Sequence, residues 1–337
     1  MTIQLFRLPQ LVLTEVVSLL NPTEIFLLSL CSQKAYRTLQ LHIKKHRQLN
    51  INIKICDDET AITYREKGRH GTLMKIKRMR NLFGPCESQV QRGSLVRIHK
   101  IFGIWVIWTS KNSESQPVLT RILDLFQKEL HHVELNCLNF WIVDFLKKRE
   151  NNLPYLYHSD CSTWVPDKHF FDMLALKVEH FETNGFVHSP FSRKGFGAQQ
   201  TVRLGRSRYL KIEDLMKMDQ VEITLANCCL SNTDVNLFLK HWMIDGGSPK
   251  LRLLRISFYS MQLIWMDEVL RDLERYMVKG DGTTKEYKSL RVENPRHNTN
   301  KAHYRITSNQ ELRRPDGGTV IVSWDNELTL LFFPPKL

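Results

Sequence analysis

The stretch FRLPQLVLTEVVSLLNPTEIFLLSLCSQK, Phe6 to Lys34, constrains the fold more than any other part of the chain. It reads as two short helices split at Asn21-Pro22, because the residue before a proline avoids the α region. The same dipeptide restarts the chain: Asn21 is a good N-cap, Pro22 suits the first helical position, and Glu24 falls where its carboxylate can return to the cap. Pro9 suits the first turn of the first helix for the same reason. Ser32 is placed to cap a third helix carrying Ala35, Tyr36, Leu39, Leu41 and Ile43. The pattern is a three-helix unit over about residues 5–48.

The first two helices hold more apolar surface than they can use. Between Gln10 and Leu20 the apolar residues are Leu11, Val12, Leu13, Val16, Val17, Leu19 and Leu20, and between Ile25 and Cys31 only Ser29 is polar. A surface helix needs one apolar stripe about 100° wide. A unit this small buries little on its own, and leaving roughly 400–600 Å² of apolar surface in water would cost on the order of 10 kcal/mol. Either the rest of this chain or another chain must cover the surplus.

The chain has 337 residues, which points to about two domains. It is 42% hydrophobic and 25% charged, so a folded core is available and global disorder is excluded. Arg7, Pro9 and Glu15 interrupt the N-terminal apolar run, which argues against a signal peptide. The longest other apolar run, Ile104–Trp108, is far short of a membrane span. The seven cysteines are odd in number and scattered with no C-x-x-C pair, which disfavours a disulfide framework or a zinc ribbon. The expectation is a soluble intracellular protein of the cytoplasm, the nucleus or both. Of the net charge of +13, most sits in residues 1–110, with 17 Lys/Arg against 7 Asp/Glu. Two windows are strongly basic, Arg65–Arg80 and Arg193–Lys211.

Beyond the helices the pattern changes. NINIKIC alternates Ile51, Ile53 and Ile55 at period two, and SLVRIHKIFGIWVIW offers Leu95–His99 and Gly103–Trp108 as further strands, with Gly84-Pro85 and Arg92-Gly93 as punctuation. A small antiparallel sheet over residues 49–110 is the simplest account. From about 120 to 270 an apolar spacing recurs at Val133/Leu135/Leu138/Phe140, Ile223/Leu225/Cys228/Leu230 and Leu254/Ile256/Tyr259/Met261, with a weaker copy at Leu176/Val178/Phe181. It resembles a degenerate leucine-rich repeat, with helical segments after Phe140 and Leu230. Unequal intervals argue for strand–helix units sharing one sheet rather than a solenoid. Residues 285–337 read as hairpins: YRITS, TVIVSW and ELTLLFF are strands, and RRPDGG and DN are turns. The fold class is therefore α+β, with an N-terminal three-helix unit (1–48) before a mixed α/β domain (49–337).

The search for chemistry returns no phosphate loop, no dinucleotide fingerprint, no nucleophile elbow and no H-E-x-x-H. Lys194-Gly195-Phe196-Gly197 reads as a loop. Adjacent residues cannot both point at one metal from regular structure, so His131-His132 reads as one buried and one exposed side chain, and Cys228-Cys229 as core packing by Cys228. Asp57-Asp58-Glu59 reads as a solvated turn. No catalytic residue, cofactor site or metal site is expected. The basic windows lack aromatics at useful spacing, which disfavours nucleic acid, although binding through 65–80 and 193–211 stays an alternative.

FRLPQLVLTEVVSLLNPTEIFLLSLCSQKAYRTL resembles an F-box, in the Leu8-Pro9 opening, the Pro-started second helix and the Leu28-Ser29-Leu30-Cys31-Ser32 ending. The tryptophan common in the third helix is absent, as in many members of the family's large nematode expansion. LSNTDVNLFLKHWMIDGGSPKLRLLRISF, Leu230 to Phe258, and the later RRPDGGTVIVSW resemble the F-box-associated domain (type 2) of that expansion. The resemblance implies a non-enzymatic substrate receptor of an SCF ubiquitin ligase. The F-box would dock on a Skp-type adaptor, and through it on a cullin, and the C-terminal domain would hold an unknown protein substrate. The implied adaptor-binding residues or their direct supports are Leu8, Pro9, Leu11, Val12, Val16, Ile25, Phe26 and Leu28. An adaptor-binding protein with no role in degradation is the other reading.

Overall fold

The computed structural model describes residues 5–43, 49–56, 58–78, 97–101, 104–109, 115–136, 141–149, 152–159, 167–185, 197, 199–259, 264–290, 303–307, 310–325 and 327–333. Gly84-Pro85, Arg92-Gly93, Asp57, Leu138, Phe140, Met261 and the Lys194-Gly195-Phe196 part of the expected loop lie outside the described residues. The chain divides into two compact units, Met1–Leu153 and Pro154–Leu337.

In the first unit, α1 (Gln10–Leu19), α2 (Pro22–Leu30) and α3 (Gln33–His42) precede a sheet. Its strands are β1 (Leu49–Ile55), β2 (Glu59–Glu66), β3 (Arg69–Arg78), β4 (Arg97–Ile101), β5 (Ile104–Thr109) and β6 (Leu130–Asn136), and α4 (Ser115–Phe126) and α5 (Trp141–Arg149) flank β6. The order is β6-β1-β2-β3-β5-β4. Ile51, Ile53 and Ile55 are buried, as their alternation requires. The expected purely antiparallel sheet is mixed instead: β1 runs parallel to β6, and β3 runs parallel to β5. Parallel neighbours need a long crossover, and α4 lies on the return path to β6.

The β2–β3 hairpin is a second departure. Its two-residue turn places Lys67 and Gly68 both at positive φ, 46° and 78°, the handedness that matches twisted strands. The basic window 65–80 therefore straddles a hairpin, with Ile62, Leu73, Met74 and Ile76 buried beneath it. Glu59 does not sit in a solvated turn. It opens β2 and pairs with Lys75 at 2.7 Å and Lys77 at 3.4 Å. Burial opposes the Glu59 charge, but the two lysines outweigh it and hold the carboxyl below its ordinary range. His131 and His132, on opposite faces of β6, both lie half-buried, not one buried and one exposed. Burial, assisted by Arg65, pushes the His131 pKa down.

In the second unit, β7 (Leu153–Ser159), α6 (Asp167–Leu174), β8 (Val178–Thr183), β9 (Thr201–Leu204), α7 (Ile212–Met216), β10 (Glu222–Cys228), α8 (Asn232–Lys240) and β11 (Leu253–Phe258) alternate along the chain. They are followed by α9 (Met266–Val269), β12 (Met277–Lys279), β13 (Thr284–Lys288), β14 (His303–Thr307), β15 (Gln310–Arg313), β16 (Thr319–Asp325) and β17 (Glu327–Phe333). The order is β7-β8-β9-β10-β11-β17-β16-β15-β12. β8 through β11 are parallel, and β17, β16, β15 and β12 continue antiparallel.

The repeat positions Val178, Phe181, Ile223, Leu225, Cys228, Leu230, Leu254 and Ile256 are all buried. Tyr259, expected in an apolar slot, is 41% exposed because β11 has already ended at Phe258. Burial pushes the Cys228 thiol up to about 11, as a core role demands, and Cys229 is exposed. α8 opens with a capping box between Ser231 and Asp234 and buries Val235, Phe238 and Leu239, while Trp242 in the following turn packs on Phe332 at 5.0 Å.

The β13–β14 ribbon is tied to the sheet by Glu222, whose carboxylate accepts from the Tyr287 hydroxyl at 2.9 Å, the Ser289 hydroxyl at 2.7 Å and the Leu290 N–H. Tyr287, Tyr304 and Phe333 pack around Leu253, Ile306, Ile321 and Leu331.

His158 on β7 is buried with only Thr183 Oγ1 beside its Nδ1, at 3.0 Å. Burial pushes its pKa down to about 4. An unfolded histidine titrates near 6.5, so the unfolded chain binds the proton first. Stability is full above about pH 6.5 and declines as pH falls toward about 4. Urea denaturation at pH 7 and pH 5 is expected to give a lower midpoint at pH 5, and His158→Gln is expected to flatten most of that slope.

Candidate functional site

The N-terminal helices are built as their sequence dictates. Asn21 Oδ1 accepts from the Glu24 N–H and Glu24 Oε2 accepts from the Asn21 N–H, each at 2.9 Å, so the capping box is complete. Ser32 Oγ accepts from the Ala35 N–H at 3.0 Å and starts α3. Pro9 is the residue before α1, not its first turn: its backbone is extended at φ −54° and ψ 147°, and its carbonyl accepts from the Leu13 N–H at 2.9 Å. Thr14 on α1 meets His42 on α3 at 2.8 Å, which sets the two helices side by side.

α2 is enclosed. Ile25, Phe26 and Ser29 are buried, and the helix has neighbours outside the three-helix unit. Thr23 donates to the Thr72 carbonyl on β3 at 3.3 Å. Arg121 on α4 donates to the Ser29 carbonyl at 2.7 Å and lies over the Tyr36 ring at 4.7 Å. Gln40 on α3 donates to the Asp124 carbonyl of α4 at 3.0 Å. Arg121 fills the end of α2 as a capping group would, because the last carbonyls of a helix have no partner within it.

α1 is covered on one side only. At about 100° per residue, Leu13 and Val17 project from one side and Leu11, Val12 and Leu19 from the other. Leu13 and Val17 are 3% and 2% exposed, whereas Leu11 is 83%, Val12 46% and Leu19 85% exposed. Pro9 is also exposed, and Leu8, Val16 and Leu28 are half-buried. Leu41 on α3, beside the His42 that contacts α1, is 82% exposed. The arrangement is a leucine-rich ridge on a braced helix, with Glu15 within it. An exposed apolar surface of this kind marks a binding face.

The structure thus sorts the residues that the sequence grouped together. Leu8, Pro9, Leu11, Val12 and Val16 lie on or beside the ridge. Ile25 and Phe26, at 0% and 1% exposure, are buried, the position of direct supports among the two roles expected for this group. Leu19 and Leu41, both exposed, were not among the expected residues. Leu19 follows Leu11 by eight positions and was findable from the 3.6-residue period, and Leu41 has no such signal.

The two elements around this surface, a three-helix docking module and a mixed α/β body, define a class of modular interaction protein. Residues 5–47 match the family model described as F-box domain, and residues 192–256 match the one described as F-box associated. The chain carries an F-box at its N-terminus and an F-box-associated domain in its second unit. No curated protein and no solved structure matches it. No helix among the described residues is long and apolar enough to cross a membrane.

Core and ridge are separable by stability. Leu13→Ala is expected to destabilise the first unit by about 3 kcal/mol, as buried leucine truncations do. Leu19→Ala is expected to stay within about 0.5 kcal/mol of the parent. Chemical denaturation followed by circular dichroism reads both.

Proposed function

We propose that this chain is a substrate-recognition subunit of an SCF-type ubiquitin ligase. F-box domains generally bind a Skp-type adaptor and so connect to a cullin, and F-box-associated domains accompany them in non-enzymatic receptors. The exposed outer face of α1 carries the reading: an apolar ridge on a helix whose opposite side is already buried has no further partner within its own bundle. Leu8, Pro9, Leu11, Val12, Val16 and Leu19 would supply the anchors with Leu28 at their margin, and Ile25 and Phe26 would hold the ridge in place. Interface energy concentrates in a few such side chains.

On this reading the chain makes and breaks no bond. Its contribution is proximity, holding a substrate lysine near the charged ubiquitin carrier and raising their effective concentration. The braces from Arg121, Gln40 and Thr23 fit that role, because they fix the docking helices to β3 and α4. Part of the basic charge in window 65–80 is spent on Glu59, which favours a protein receptor over a phosphate-backbone binder.

The double variant Leu11→Glu with Leu19→Glu is expected to lose co-purification with a Skp-type adaptor while unfolding at the parent temperature. Leu8→Ala with Pro9→Ala is expected to weaken the same complex about tenfold or more. Full-strength adaptor binding by both would contradict the assignment. Ubiquitination of a bound partner in a reconstituted ligase separates a degradation receptor from an adaptor-binding protein of another kind.

A further inference from the structure

Among the described residues, the large aromatic side chains that are exposed are Tyr209, Tyr259, Trp265 and Trp324. They gather at one end of the second unit's sheet. β9, β10 and β11 are adjacent and parallel, so their C-terminal ends face the same way. Tyr209 lies in the turn after β9 and Tyr259 immediately follows β11. Trp265 opens α9, which is held at the first turn of α8 by a hydrogen bond from Asn232 to Glu268 at 2.9 Å. Trp324 sits at the end of β16 with its ring 6.0 Å from Phe258.

The edge is fixed before any partner arrives. The Ser207 N–H and hydroxyl both donate to the Ala226 carbonyl, at 3.0 and 2.9 Å. Asn227 donates to the Gly205 carbonyl at 2.9 Å, and the Tyr259 N–H donates to the Cys228 carbonyl at 2.8 Å. Scattered exposed apolar residues need no explanation. Aromatics concentrated on a rigid edge are another matter, because they bind with little loss of freedom, and Tyr, Trp and Arg are the side chains that dominate protein interfaces.

Charge indicates the partner. Residues 201–211 carry Arg203, Arg206, Arg208 and Lys211 and no acid. Three nearby acids are engaged internally: Asp214 accepts from the Lys211 N–H, Asp234 from Ser231, and Glu268 from Asn232, while Glu213 is exposed. Arg208 is exposed and stacks over the Tyr259 ring at 4.3 Å, so its donors stand beside an apolar face. A nucleic acid would need basic groups tracking a long backbone. Here Arg203 lies in β9 and pairs with Glu182 at 3.5 Å, Arg206, Arg208 and Lys211 follow in one short stretch, and Asp267 beside Trp265 is exposed.

We propose that this edge, built from Arg208, Tyr209, Tyr259, Trp265 and Trp324, is where the substrate docks, and that it takes a short acidic segment of a protein with an apolar side chain next to the acid. The proposal rests on the receptor reading above and adds the substrate's chemistry to it. Selection of a random dodecapeptide display library on the full chain tests it. Enriched peptides are expected to pair Asp or Glu with a large apolar residue. Their affinity is expected to fall at least tenfold in Arg208→Glu and in the Tyr259→Ala, Trp265→Ala double variant, with both variants keeping the parent unfolding curve. Enrichment of such peptides with affinity unchanged in both variants would overturn the edge, as would a library that yields no acidic motif. Binding of a single-stranded RNA oligonucleotide that these variants abolish would also overturn it, in favour of nucleic acid. Adaptor co-purification run in parallel keeps the two claims apart: its loss in the parent chain overturns the receptor reading, whereas its retention beside a failed selection overturns only the edge.

Discussion

An apolar helix with no polar face has to be enclosed, and α2 imposes that constraint on the whole first unit. Ile25, Phe26 and Ser29 are buried, and the helix also meets β3 through Thr23 and α4 through Arg121. α2 even draws Arg121 to its last turn, where a guanidinium satisfies the Ser29 carbonyl and covers Tyr36 at once. Three helices alone would leave α2 half in water. The sheet and α4 of the first unit add to its burial, and the three helices belong with them to one compact unit.

That enclosure decides which surface is left over. With α1 set against α3 through Thr14 and His42, the exposed large apolar side chains among the described residues of the three helices are Leu11, Val12 and Leu19 on the outer side of α1 and Leu41 on α3. Two coverings for the surplus apolar surface were open at the level of sequence, the chain itself and another chain. This chain covers α2, and on the proposed reading an adaptor covers the ridge of α1. On the proposed reading a ridge fixed to this unit transmits position, which is what a receptor contributes through proximity.

Much of this was legible in the sequence where local rules decide. The capping box at Asn21 and Glu24, the Ser32 cap, the alternation of Ile51, Ile53 and Ile55, and the buried stripe of α8 follow from hydrogen-bond geometry and periodicity. The β2–β3 hairpin was hidden because its turn is Lys67-Gly68 within a basic run, not an Asn-Gly or Asp-Gly signal. Its lysines read only as part of a basic window until Glu59 is seen across the strand. Parallel pairing of β1 with β6 leaves no local mark, because partners some 80 residues apart are chosen by the crossover and not by either strand. The exposed ridge was half legible: the period separates Leu11 and Leu19 from Leu13 and Val17, but only the fold shows that Ile25 and Phe26 are fully buried.

Hydrogen–deuterium exchange of the full chain with and without a Skp-type adaptor tests the central claim most directly. The account predicts slowed exchange concentrated in residues 8–20 and around Leu41, where the outer face of α1 and its neighbour on α3 would be covered, with little change in the 59–78 hairpin. Unchanged exchange over 8–20, or protection centred on the hairpin, would contradict it.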